Sequence, residues 1–279
     1  MGFDYKKLAI PGFANIELEK RNIINYPDGE TVEWYGFTRH NFELDGHQAF
    51  IVEPRFASPG LPWSWCTQWA EAFVPRTPAL KLLERGFHHV HIDLFETRMN
   101  PEGIKIAKKF YDLLQSLGFN SKAALIGMSY GGLFSLRWAE EYPETVGAVY
   151  LDAPVTDLGF CCDRDATNAL EKNLENLAHE AQINADAYGV ETQELHAHPL
   201  SPNNNFQKIA AAKIPILCLR SGQDLTVNPV TNSDTFAERV TAAGGNFQMV
   251  DRPLNGHHPH GLDDPQALAE FILNYYPEI

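Results

Sequence analysis

Residues 123–143 read AALIGMSYGGLFSLRWAEEYP. The first six form an apolar run of strand length and the segment after them has amphipathic helical spacing, so a strand turns directly into a helix around Gly127-Met128-Ser129-Tyr130-Gly131. A turn that sharp strains the backbone of its central residue, and side chains at 127 or 131 would collide with neighbouring segments, hence the glycines. The Ser129 hydroxyl is lifted clear of the strand at the start of a helix. There the Tyr130 amide and the helix dipole are placed to stabilise negative charge on an attacked oxygen. Ser129 is a candidate nucleophile and Tyr130 a candidate oxyanion donor.

Outward from this turn, short apolar runs alternate with longer segments of helical spacing. FHHVHIDL (87–94), PEGIKIAKKFYDLLQSLGF (101–119), the turn itself and VGAVYLDAP (146–154) give strand, helix, strand, helix, strand. The rhythm resumes at IPILCLRSGQD (214–224), a helical stretch over 232–243, the strand FQMVDRP (247–253) and a closing helix over 264–275. Strands rich in Val, Ile and Leu without strict alternation predict a mostly parallel sheet covered by helices on both faces. Residues 16–54 read as β hairpins, IELEKRNIIN, TVEWYGFTRHNF and HQAFIVEP, punctuated by Pro27-Asp28-Gly29 and Asp45-Gly46. Between 154 and 213 the alternation breaks at a polar, helix-prone run and the loop HPLSPNNN. The expected organisation is a core of residues 1–155 and 208–279 interrupted by a helical cap at 156–207.

The 279 residues are 44% hydrophobic and 21% charged, which excludes a disordered chain, and no stretch approaches the roughly 20 apolar residues of a membrane span. Lys plus Arg is 22 against 36 Asp plus Glu, a formal charge of −14, and this surface repels nucleic acid. Lys6 and Lys7 precede only three apolar residues, too few for a secretory signal, so a cytoplasmic location is the default. The four cysteines, 66, 161, 162 and 218, lack metal or redox spacing and are expected as free thiols. The sequence sets no oligomeric state.

A serine hydroxyl needs a base within hydrogen-bond reach and a carboxylate to orient that base. Asp224 follows the strand ending in SGQD, and the loop Asn255-Gly256-His257-His258-Pro259-His260-Gly261 follows the next. Ser, Asp, His is the chain order expected when acid and base sit on the last two strand ends of such a sheet. Asp152 and Asp157, after VGAVYLDAP, are alternatives for the acid. His257, His258 and His260 lack the i, i+4 pairing or the nearby cysteine and carboxylate spacing of a zinc site, and no metal is expected.

GMSYGG, SGQDLTV and NGHHPHGLDDP together resemble the α/β-hydrolase superfamily over residues 48–279, and within it the chain is similar to small microbial esterase-like hydrolases with a PGLPW-type segment and a GHHPH loop. The resemblance implies the α/β-hydrolase fold, with Ser129 as nucleophile, His257, directly after a glycine, as general base and acid, and Asp224 as its orienting carboxylate. It also implies a second oxyanion donor in the loop after HQAFIVEP, read here as RFASPGLPWSW (55–65). Relatives often carry His-Gly where this chain has Ser58-Pro59-Gly60. Pro59 and Pro62 have no amide hydrogen, which leaves Trp63, then Ser64. Trp65 is a candidate stacking wall for a sugar or aromatic ring, and Glu96 and Arg98, after FHHVHIDL, are candidate contacts for a polar substrate. His88, His89 and His91 are expected as hydrogen-bonded strand residues.

The expected activity is hydrolysis of a small-molecule carboxylic ester, a short acyl ester of a sugar or small alcohol, through an acyl-enzyme on Ser129 and without a cofactor. The alternatives are a non-hydrolytic small-molecule-binding protein or receptor on the same scaffold, or a small serine peptidase or thioesterase.

Overall fold

The structure is a computed structural model and describes residues 24–162 and 174–277. Its first strands form the expected hairpins: β1 (Glu30–Trp34), β2 (Phe37–Leu44) and β3 (His47–Glu53), joined at Tyr35-Gly36 and Asp45-Gly46 where the backbone takes positive φ. The IELEKRNIIN segment lies mostly outside the described residues. The remaining strands are β4 (Trp63–Gln68), β5 (His88–Ile92), β6 (Ala123–Met128), β7 (Val146–Asp152), β8 (Ile216–Ser221) and β9 (Phe247–Arg252). One sheet results, ordered β1-β2-β3-β5-β4-β6-β7-β8-β9. From β5 to β9 every neighbouring pair is parallel, and β1, β2 and β3 join antiparallel at one edge.

The strand β4 corrects the reading of residues 55–65 as one loop. Pro59, Gly60 and Pro62 punctuate the approach, but directly after Pro62 the run WSWCTQ, aromatic and β-branched, is wholly buried between β5 and β6. β4 is therefore a core strand, and HQAFIVEP is an antiparallel strand nearer the edge.

Helices α1 (Ala79–Glu84), α2 (Pro101–Ser116), α3 (Tyr130–Glu141), α5 (Gln207–Ala211), α6 (Thr235–Ala242) and α7 (Gln266–Leu273) cover the sheet. The start of α2 shows the local logic. Asn100 caps it by accepting from the Glu102 and Gly103 amides, Pro101 fills the first turn, and Gly118 at φ +89° ends it. Alternate strand residues feed two cores. Trp65, Val90 and Leu125 pack under α2 and α3, whereas Cys66, Ile126 and Tyr150 pack under α1 and α7. Between β7 and β8 lies α4 (Leu174–Tyr188), the described part of the helix-prone run. Residues 163–173 fall outside the description. Among the described residues no helix is long and apolar enough to cross a membrane, and all four cysteines are free thiols.

β5 is buried along its length, and each of its histidines meets a partner: His88 the Tyr26 hydroxyl, His89 the Ser64 hydroxyl, His91 the Cys66 carbonyl. Burial pushes His88 down to about 4 and His89 to about 3, with His40 adding to the first and His91 and Arg39 to the second. The unfolded chain protonates both near 6.5, so between that pH and about 4 it binds more protons than the folded one. Stability is therefore present above 6.5 and is lost as pH falls through this window. Urea unfolding at pH 7 and pH 4.5 will show a lower midpoint in acid, and His89→Gln will reduce the difference. An undiminished difference in the variant would assign the acid sensitivity elsewhere.

Candidate active site

Parallel strands present their carboxyl ends together, and the site stands along that edge. Ser129 follows β6 at φ 52°, ψ −122°, a strained conformation that ends the strand and starts α3 in one residue. Its amide donates to the Asp152 carbonyl and its carbonyl accepts from the Gly132 and Val155 amides, which holds the turn. A Cβ at Gly127 would lie 2.5 Å from the Gly131 carbonyl oxygen, so the strand and the helix it feeds touch through glycine.

The turns after β8 and β9 bring Asp224 and His257 to this serine. His257 Nε2 lies 3.1 Å from Ser129 Oγ, and His257 Nδ1 lies 2.6 Å from Asp224 Oδ2. A carboxylate only accepts, so Nδ1 carries the proton and Nε2 faces the serine with its lone pair. Asp224 is held in turn, its Oδ1 accepting from the Thr226 and Val227 amides at 2.8 and 2.9 Å. Both Asp224 and His257 are buried.

Asp152 performs a different task. It is fully buried at the end of β7, where it accepts from Arg252 Nη2 at 2.6 Å, Tyr150 Oη at 3.0 Å, His260 Nδ1 at 3.1 Å and the Gly261 amide at 2.5 Å. It ties down the far end of the histidine loop, and its ring partner is His260. Asp157 pairs with His196 in the segment after β7.

A cavity of about 470 Å³ opens onto Ser129 and His257. Its apolar wall includes Trp69, Phe73, Phe160, Leu177 and Leu225, and its polar groups include Tyr130, Asn176, Glu180 and the three loop histidines. Asn176, Leu177 and Glu180 come from α4, so the segment between β7 and β8 forms part of the wall. The Tyr130 hydroxyl donates to Glu180 Oε2 at 3.0 Å, and burial first, then the neighbouring Cys161 and Glu180, holds this phenol far above its ordinary range. It remains a donor at any working pH.

Four of the substrate and oxyanion candidates lie elsewhere, and a fifth lies behind the wall. Trp63 is fully buried at the start of β4, pairs with His88 and Ala123 at the beginnings of their strands, and donates its indole N–H to the Asn120 carbonyl. Five residue steps of strand separate it from Gln68 at the site end, roughly 17 Å. It cannot serve as oxyanion donor. Ser64 is fully buried beside it, bonded to His89. Trp65 is a core side chain packed against Phe110 and Trp138, so it presents no face to a substrate. Glu96 is exposed in a short turn (Phe95–Thr97) away from the cavity wall. Arg98 is buried behind the wall, its guanidinium 3.7 Å from the Phe95 ring centre, 5.1 Å from the Tyr130 ring centre and 3.1 Å from Glu180, so it acts on the cavity through Glu180 and Tyr130.

The residue that the sequence reading missed is Trp69. It stands just past β4 with φ 63°, and it lines the same cavity as Ser129 and Tyr130. The first turn of α3 packs on this strand end, a Cβ at Gly131 lying 3.5 Å from the Gln68 amide nitrogen. Neither the Trp69 amide nor the Tyr130 amide has a backbone acceptor among the described residues.

The model of the alpha/beta hydrolase fold matches residues 32–176, just over half of the sequence. The chain belongs to the α/β-hydrolase family. No curated protein matches this α/β-hydrolase in sequence at a significant level. Solved structures match it in fold. A Bacteroides ovatus protein described as a dipeptidyl aminopeptidase IV is 15% identical with a TM-score of 0.61, covering 87% of this chain and 35% of that one. The acylaminoacyl peptidase of Pyrococcus horikoshii is 14% identical with a TM-score of 0.58, covering 86% and 40%. This α/β-hydrolase thus spans about two fifths or less of those peptidases. Carboxyl esterase 2 of the fungus Tuber melanosporum is 16% identical with a TM-score of 0.57, covering 87% and 86%. At these identities the likeness is one of fold.

Proposed function

We propose that this α/β-hydrolase is a serine hydrolase that cleaves small carboxylic esters through an acyl-enzyme on Ser129. The observation that carries the reading is the hydrogen-bonded chain from Ser129 through His257 to Asp224 at the mouth of a mainly apolar cavity. His257 Nε2 takes the Ser129 proton as Oγ bonds to the ester carbonyl carbon, and the imidazolium so formed is stabilised by Asp224. Charge gathers on the carbonyl oxygen. The Tyr130 and Trp69 amides are the proposed donors to it, both unbonded and both at the cavity, Trp69 in the role first given to Trp63. The C–O bond then breaks and His257 returns the proton to the leaving alcohol. Water, deprotonated by the same imidazole, attacks the acyl carbon, the bond from that carbon to Oγ breaks, and His257 returns the proton to Ser129 as the acid leaves. These steps use only water and groups of the chain. Residues 156–207 are proposed as the cap that limits acyl size, since α4 supplies Asn176, Leu177 and Glu180 to the wall.

A second reading, a small serine peptidase, draws on the two peptidases that share the fold. Kinetics on p-nitrophenyl acetate, butyrate and dodecanoate beside alanyl p-nitroanilide separate the two. A cavity of about 470 Å³ fits a small ligand, so kcat/KM is expected to be highest for the short acyl chains and to fall for dodecanoate. Cleavage of the anilide at a rate matching butyrate would favour the peptidase, and no ester turnover would overturn the reading.

A further inference from the structure

The histidines after β9 lack the spacing of a metal motif along the chain, yet folding brings them together. The ring centres of His257, His258 and His260 lie 4.8 to 5.1 Å apart, and one ligand atom from each lies within 4.8 Å of the others. Two of the rings are already set as metal ligands usually are. His257 Nδ1 is bonded to Asp224 and His260 Nδ1 to Asp152, so each carboxylate fixes a tautomer with its lone pair on Nε2, and in the metal-free chain that of His257 is shared with the Ser129 hydroxyl 3.1 Å away. His258 is exposed, rests on Phe73 at 5.4 Å between ring centres, and has no hydrogen-bond partner among the described residues. All three line the cavity beside Ser129.

We propose that His257, His258 and His260 form a binding site for a borderline divalent cation of the zinc class, and that its occupation switches off hydrolysis reversibly. Three imidazoles suit zinc, copper or nickel rather than magnesium or calcium. Zinc to nitrogen distances of about 2.0 to 2.1 Å require the donor atoms to approach to roughly 3.4 Å, so the loop must draw its rings closer on binding, the exposed His258 among them. A fourth position would be left to water. Inhibition follows from electron pairs: the Nε2 lone pair that would accept the Ser129 proton is the one the cation occupies, so a loaded site has no base.

The inhibition rests on the serine hydrolase reading, whereas the binding does not. Zinc is therefore titrated calorimetrically into the full chain, free of any affinity tag, and in parallel into p-nitrophenyl butyrate assays later treated with EDTA. Expected are one equivalent bound in the micromolar range, inhibition with the same midpoint, and full recovery on chelation. His258→Ala is expected to weaken binding and inhibition at least about tenfold, each judged against that variant's own metal-free rate, because losing a ligand costs no less than losing its supporting partner. His260→Gln, checked for folding by circular dichroism, is expected to do the same, and Ser129→Ala is expected to bind zinc like the wild type. Binding that needs millimolar zinc, or that His258→Ala leaves unchanged, would overturn the proposal. Zinc bound through His258 in a protein without esterase activity would uphold the site and remove the serine hydrolase reading instead.

Discussion

Ser129→Ala is expected to lower kcat for p-nitrophenyl butyrate by about 10⁶, to near the rate left by binding and oxyanion stabilisation alone. KM and the unfolding midpoint should move little. The reason lies in what the substitution removes. Alanine keeps the Cβ, so the positive φ of 52° and its strain are unchanged, and the amide and carbonyl that hold the turn still meet Asp152, Gly132 and Val155. Only Oγ goes, and with it the hydrogen bond to His257. Ser129→Gly provides the companion result: equally inactive, it relieves a left-handed residue and gains stability of roughly 1 kcal/mol, offset in part by the greater freedom of glycine in the unfolded chain. An active Ser129→Ala enzyme would place the chemistry on another residue.

Asp224→Asn is expected to cost about 10⁴ in kcat with the fold intact. The asparagine carbonyl can still accept from the Thr226 and Val227 amides, so the turn survives, and the amide nitrogen then faces His257 Nδ1. An N–H there demands a lone pair on Nδ1, which moves the imidazole proton to Nε2, the atom that must accept from serine. Asp152→Asn separates geometry from catalysis. That carboxylate is fully buried against the Arg252 guanidinium, and neutralising it leaves an uncompensated buried charge, a loss on the order of 3 to 5 kcal/mol in stability. Its effect on kcat in the folded fraction should be far smaller than that of Asp224→Asn. The reverse order would make Asp152 the orienting acid.

What the sequence disclosed and what it withheld have physical causes. The elbow was legible because strand, glycine, serine and helix are contiguous, and Asp224 and His257 were legible because each lies in the turn that follows one of the last two strands. Trp69 was hidden by the reading of RFASPGLPWSW (55–65) as a loop: proline and glycine before a strand look the same as proline and glycine within a loop, and a strand buried on both faces has no alternation to announce it. Trp63 and Trp65 then passed for loop residues when they are core. Arg98 illustrates a second limit. A strand-end arginine can reach the solvent or fold back, and only the position of Phe95 and Glu180 decides which. The cavity wall drew on Phe73, Phe160 and Leu225, loop residues with no periodicity to mark them, and on α4, a largely polar helix whose cavity-facing side is set by packing.

The central claim is that the oxygen of Ser129 becomes reactive because His257 and Asp224 converge on it. Reaction with a short-chain alkyl fluorophosphonate, followed by intact-mass analysis and peptide mapping, tests it most directly. One adduct per chain is expected, on the peptide that contains Ser129, absent from Ser129→Ala and formed far more slowly in His257→Ala. A protein that hydrolyses esters while Ser129 stays unlabelled, or is labelled at the same rate without the His257 imidazole, would contradict the account.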